Sequence, residues 1–264
     1  MIHRSMQIVL TSILIVSAPW LAPAAAPPQE ARLRVSPETV NMGTFYGGAT
    51  VRVEGVTGPD EKVVIVVRGG KVTEVFNKVG RVGPIWVNTG KVTISGVPSL
   101  LLAFSSEPLG ACLTRAAIDK YGLDLPAIKK QMRIESKTPD YGRIADDYFL
   151  YKTKQGSYHL VNGGIRMNQP DKDGLPYTLE FVLPKSAPPG QYEISVLECR
   201  RGEVVQSSAV PIKVVEVGFS ALVAWLATQH PSSYGIISVV VAMLAGFGID
   251  FIAARLFKRK IGGH

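Results

Sequence analysis

The chain has 264 residues, of which 46% are hydrophobic, 19% charged and 8% aromatic, with two cysteines and a formal charge of +8. That apolar fraction excludes a disordered chain, and two cysteines exclude a disulfide-framework miniprotein. Half of the basic excess lies at the two ends, in Arg4, Arg255, Lys258, Arg259 and Lys260 against Asp250, while the middle intersperses both signs, which speaks against a nucleic-acid-binding face.

In chain order, Met1 to Arg4 is a short basic region, Met6 to Val16 is apolar apart from Gln7, Thr11 and Ser12, and Ala22-Pro23-Ala24 supplies small residues. Residues 1–24 read as a cleaved secretory signal, with cleavage near Ala24 or Ala25. The alternative is an uncleaved anchor, for which the run is short against the ~20 apolar residues a bilayer needs.

Residues 27–108 read as a first β-sandwich region. Ala49 to Glu54 alternates with period two, and Gly55 to Asp60 is a turn. Lys62 to Val67 contains Val63-Val64-Ile65-Val66-Val67 without alternation, as a strand apolar on both faces at a sheet centre would. Lys71–Phe76, Ile85–Asn88, Val92–Ile94 and Leu100–Phe104 follow as short strands bounded by Gly or Pro. From 109 to 155 a helical insert is predicted, with helices over 111–121 and 126–134 separated at Gly122, and a further one over 140–154.

A second β region is predicted over 156–217, with strands at 157–161, 176–183, 191–199 and 203–217 and turns at Pro188-Pro189-Gly190 and Arg200-Arg201-Gly202. The fold class is mainly β: one or two Ig-like β-sandwich units with a helical insert, plus one C-terminal transmembrane helix. Residues 218–234 carry Phe219, Leu222, Val223 and Leu226 at helical spacing, with Trp225 and Tyr234. They either lie at the lipid headgroups or pack under the β domain. Residues 235–257 hold one acid and one base and reach roughly 34 Å as a helix, enough to span a bilayer. Lys258, Arg259 and Lys260 open a basic tail over 258–264, whereas Val217 to Tyr234 has neither Lys nor Arg. The positive-inside rule therefore predicts a cytoplasmic C-terminus and an exported, periplasmic body on a bacterial inner membrane.

Several segments together resemble one bacterial family. They are Thr44-Phe45-Tyr46-Gly47-Gly48, Val66-Val67-Arg68-Gly69, Gly83-Pro84-Ile85-Trp86-Val87-Asn88, Gly96-Val97-Pro98-Ser99 and Glu107-Pro108-Leu109. In the second half Phe181-Val182-Leu183-Pro184, Ala187-Pro188-Pro189-Gly190-Gln191-Tyr192 and the helix from Tyr234-Gly235 continue the match. The family comprises transmembrane proteins without an assigned function, best represented in alphaproteobacteria. The resemblance implies genes beside permeases of the sulfite and organosulfonate exporter type, and it carries no catalytic residues. Cys112, Cys199 and the polar loop 162–174 depart from the family pattern.

Catalytic signatures are absent from the sequence: there is no Gly-x-Ser-x-Gly, His-Glu-x-x-His, Walker A loop, Cys-x-x-Cys or Ser-x-x-Lys. His159 and His230 are isolated, so neither a metal nor another cofactor is expected. Asp146-Asp147 are helix neighbours that point apart and read as a solvated face. Trp86 is either a sandwich core residue or a ligand platform. Arg68, closing the most apolar strand, either pairs with a carboxylate at the sheet rim or binds an anion. Cys112 and Cys199 either form a disulfide or remain two buried thiols.

In the membrane helix Ser238, Ala242, Gly246, Asp250 and Ala254 recur every four residues as one slowly drifting stripe. The stripe either faces another helix, from a permease or a second copy, or consists of ordinary small membrane-helix residues with Asp250 reaching toward Lys258. These readings point to a non-enzymatic periplasmic module contacting lipid and serving as a transporter's accessory subunit. The alternatives are an anion- or small-molecule-binding receptor using Arg68 and Trp86, and a hydrolase without a recognisable motif.

Overall fold

The computed structural model describes residues 33–137, 140–172 and 174–257. The predicted signal at 1–24 and the basic tail at 258–264 lie outside the described residues. The first seven strands are β1 (Leu33–Ser36), β2 (Thr39–Met42), β3 (Ala49–Thr57), β4 (Lys62–Gly69), β5 (Lys71–Val82), β6 (Ile85–Pro98) and β7 (Leu101–Ser105). Helices α1 (Leu109–Cys112), α2 (Arg115–Tyr121) and α3 (Leu125–Lys129), strand β8 (Arg133–Ser136) and helix α4 (Tyr141–Lys154) make up the insert. Then come β9 (Tyr158–Asn162), β10 (Arg166–Met167), β11 (Leu175–Leu183), β12 (Gly190–Arg200), β13 (Glu203–Glu216), α5 (Phe219–Gln229) and α6 (Pro231–Phe257).

The body is mainly β, as expected. A four-stranded sheet, β1-β3-β11-β10, faces a six-stranded sheet, β2-β13-β12-β4-β7-β9. Strands from before and after the insert interleave: β11 pairs with β3, and β4 lies between β12 and β7. The two predicted β regions therefore supply one sandwich.

The unbroken apolar run of β4 has a direct cause in this placement. Val63, Ile65 and Val67 point into the sandwich core, while Val64 and Val66 point into a second core on the sheet's other face. A strand covered on both sides has no solvent face on which to alternate.

The short strands predicted between 71 and 98 are instead two long ones. Gly69 N–H donates to Leu100 O and Ser99 N–H to Gly70 O, so the β4–β7 ladder runs on into the 12-residue β5 and 14-residue β6. Glycines that look like strand ends in sequence carry a ribbon from one sheet into the next. Gly83, at φ 59°, supplies the positive angle that the tight turn at the ribbon's end requires. With β8 the ribbon forms a three-stranded sheet.

The insert covers the second core. Thr114 and Asp124 cap α2 and α3 by accepting from Ala117 N–H and Ala127 N–H, and Gly122 in the left-handed region ends α2. The helix predicted to Ile134 stops at Lys129, because Ile134 sits opposite Ile94 on β6, and both enter the second core. Tertiary pairing overrides the helical spacing there.

At one end of the six-stranded sheet Gly69 lies opposite Tyr192 and Gly190 opposite Val214. β13 finishes two residues beyond Val214 and leads into α5 and α6. α5 has no fully buried residue; Ala221, Val223, Leu226 and Ala227 are half-buried, and its Ser220 hydroxyl meets Thr44 of the β body at 3.4 Å. α6 is long and apolar enough to cross a membrane over Pro231–Arg255, and none of its most apolar window is buried. It begins four residues before the predicted span, with Pro231 in its first turn, where the missing N–H costs nothing.

Candidate functional site

Arg68 and Trp86 stand at opposite ends of the ribbon and form no shared pocket. The Arg68 Nη2 donates to the carbonyls of Tyr121 (2.7 Å) and Gly122 (3.2 Å), the open C-terminal end of α2. Burial lowers its pKa, partly offset by Glu193 on the neighbouring strand. Its hydrogen-bond partners are main-chain carbonyls, so it clamps a helix end onto the sheet. Trp86, expected in the core, is 69% exposed beside the ribbon's turn. The reason is topological: its strand has left the sandwich before the tryptophan is reached.

Cys112 and Cys199 come together in the second core, brought to one corner by the bridge of Leu113 to Gly202. Both thiols are free and buried, donating to Glu107 O and Leu197 O. Burial pushes both up, and the Cys199 thiol, with Cys112 beside it, reaches about 12. Neither is a reactive thiolate near neutral pH.

His159 is exposed on β9, and His230 packs edge-on against Trp225 at 4.8 Å. Among the described residues no group of His, Cys, Asp or Glu could hold a metal ion. Asp146 and Asp147 are solvated and point to separate partners, Lys129 at 2.6 Å and Arg143 at 4.0 Å.

The arrangement with chemical potential is one that the sequence reading missed: a groove of about 650 Å³ between the β5–β6 ribbon and α4. Phe76 meets Tyr148 and Tyr151 edge-on, at 5.9 and 5.7 Å, to form an aromatic wall. Arg143 and Asp147 stand on the helix side of the opening, and Lys78 on the ribbon side. Behind the wall the Lys152 Nζ, on a side chain only 5% exposed, donates to Glu74 Oε1 at 2.7 Å. The same ammonium lies 5.5 Å from the Tyr148 ring centre.

Two buried oxygens here, Glu74 Oε2 and the hydroxyl of Tyr148, a residue 4% exposed, make no well-formed hydrogen bond among the described residues, although the phenol sits close to Tyr158 and Glu74. Burial above all, then Tyr158 and Glu74, pushes the Tyr148 phenol far above its usual range, so it stays a neutral donor. Unsatisfied buried polar atoms cost free energy, and each calls for a reason. The groove itself, walled by Phe76, Tyr148 and Tyr151 with Arg143, Asp147 and Lys78 at its opening, can hold an apolar or aromatic group, while the two oxygens lie behind that wall. The available signal was Lys152 itself, which follows Ala145, Tyr148 and Phe149 on the buried face of α4.

A family model covering residues 31–255 matches this chain, most of its length. It is described as "Putative transmembrane protein (Alph_Pro_TM)". The chain belongs to that family. The membership agrees with α6 as a membrane span, and the matched region takes in the sandwich, the insert and the ribbon alike. Comparison with curated proteins and with solved structures returned no match.

Proposed function

We propose that this membrane protein is a non-enzymatic accessory subunit of a transporter, with its β body on the periplasmic side of a bacterial inner membrane. The observation that carries the reading is α6: an apolar helix that buries none of its most apolar window against its own body. Such a helix needs lipid or another helix around it, and its stripe of small residues with one acid suits a helix partner. The orientation follows from the basic residues after the span and their absence before it. The resemblance to a family encoded beside sulfite and organosulfonate exporter permeases makes such a permease the first partner to test. The buried charges also favour a structural role, since Lys152 is held by Glu74 and Arg68 by the end of α2.

Affinity purification from native membranes tests this reading. Recovery with a permease supports it, and recovery of the protein alone under several mild detergents counts against it. Proteolysis of spheroplasts checks the topology, because the body should be digested while only a C-terminal fragment survives. A second reading, a small-molecule-binding module, is favoured by the groove with its aromatic wall and charged rim, and draws no support from Arg68 and Trp86, which do not line it.

A further inference from the structure

We propose that the tip of the β5–β6 ribbon is a second membrane contact, inserting its apolar side chains among anionic lipid headgroups; this rests on the membrane-anchored reading above. Val79, Val82, Ile85 and Trp86 at the tip are 60%, 58%, 60% and 69% exposed. Val82 pairs with Ile85 across the turn, and Arg81 with Trp86 one step back, so apolar and cationic groups crowd into the last two rungs. An exposed, apolar ribbon end is a liability in water unless something covers it.

The charge around the tip identifies the cover. From Val75 to Pro98 the basic residues are Lys78, Arg81 and Lys91, and there is no acid. Asp140 and Asp147 of α4 stand further back, beside Lys78 and Val79 in the groove, so at the last rungs tryptophan and branched aliphatic groups have Arg81 as their charged neighbour on the ribbon, a match for an interface whose inner layer is hydrocarbon and whose outer layer is phosphate. A protein partner would have to bring both an apolar recess and compensating acids to a narrow turn. A bilayer supplies both layers.

The register starts the ribbon at the anchor's end of the sheet. The ribbon leaves the six-stranded sheet at Gly69, opposite Tyr192, at the same end where β13 runs out into α5 and α6. Its 12-residue strand, at about 3.3 Å per residue, is roughly 40 Å along its own length, with Phe76, Val92 and Ile94 at its base lying in the second core and the rungs from Val79 to Asn88 outside it. Because α6 tethers the body permanently, even a weak tip contact acts at high effective concentration.

The test uses the full chain in nanodiscs, with Trp20→Phe and Trp225→Phe leaving Trp86 as the sole tryptophan of three. In phosphatidylglycerol-rich discs Trp86 emission should shift to the blue, be quenched by lipid-borne spin label and resist aqueous iodide. Pure phosphatidylcholine discs should weaken all three effects. Arg81→Glu with Lys91→Glu should reduce the lipid-bound fraction by about fivefold per base removed. Quenching by iodide alone, unchanged by lipid composition, overturns the proposal. So does protection from both quenchers, which would show that protein covers the tip. A companion carrying Trp20→Phe and Trp86→Phe keeps Trp225 as the reporter on the anchor. Lipid quenching of Trp225 without that of Trp86 rejects the tip contact alone, whereas loss of both rejects the membrane-side placement as well.

Discussion

The two faces of β4 look onto two different interiors. On one side, Val63, Ile65 and Val67 meet the four-stranded sheet in a core of aliphatic and aromatic side chains. On the other, Val64 and Val66 meet the insert and the ribbon, where Lys152, two free thiols and the Tyr148 phenol are buried. The first interior is what a sandwich needs to fold. The second departs from good packing at particular polar atoms, and departures of that kind are where function is to be sought. The contrast separates an interior of apolar side chains from one that buries an ion pair, two thiols and a phenol.

The largest effect should come from the first interior. Ile65→Ala removes a fully buried side chain between two sheets and should cost about 3–4 kcal/mol, read as a lowered unfolding midpoint of the detergent-solubilised protein. Next, Lys152→Ala leaves the Glu74 carboxylate without its cation. Breaking a buried pair costs about 3–5 kcal/mol, and Glu74, at 30% exposure, places this case near the lower end. Lys152→Met combined with Glu74→Leu should recover most of that loss, because it removes both desolvated charges. A double variant as unstable as Lys152→Ala would mean that the pair shapes the second interior, and the contrast would fail.

A smaller effect sharpens the comparison from the sandwich's rim. Burial raises the Glu61 carboxyl, but the Gly58 N–H, the Thr57 hydroxyl and Arg200 outweigh it and hold it below the ordinary carboxylate range. A lowered folded pKa stabilises the protein above the unfolded pKa, and that contribution is lost as pH falls through the folded value. Glu61→Gln should therefore cost about 1–2 kcal/mol at pH 7, with the gap to the parent closing under acid conditions. A gap independent of pH would show that shape, not charge, holds this rim. Smaller still, Tyr148→Phe deletes a hydroxyl without a well-formed hydrogen bond and should change stability by less than about 0.5 kcal/mol, or raise it slightly.

Much of the fold was legible because its signals are local. The unalternating run of β4, the turn at Arg200-Arg201-Gly202, where Arg201 has φ 53°, and the span of α6 each follow from neighbouring residues. The ribbon was not, since Gly69, Gly70 and Ser99 look like terminators, and only their cross-strand hydrogen bonds reveal that the ladder continues. The same gap misplaced Trp86 in the core. The groove was hidden for a related reason, as Lys152 and Glu74 lie 78 positions apart and meet only through the packing of α4 on the ribbon.

The smallest effect on the body, and the most specific on association, belongs to α6, which lies outside both interiors. Ser238, Ala242, Gly246, Asp250 and Ala254 are all exposed on the helix, and successive members advance by about 400°, so they share one drifting face. Arg255, the basic residue of its last turn, lies 5.8 Å from the Phe251 ring centre, a position on the ring and not one of the ion pairs among the described residues. An acid in that setting gains from a helix or water that satisfies it, while the glycine and alanines let a second backbone come close. Gly246→Leu and Asp250→Leu should each weaken association with a permease or a second copy, by about 3- to 30-fold if the contact is worth 0.6–2 kcal/mol. Gly235→Leu and Val240→Leu, off the stripe, should leave it unchanged, and all four should leave the unfolding of the body as it is. Crosslinking in native membranes reads the difference, and equal behaviour of the four variants would mean that this face meets only lipid.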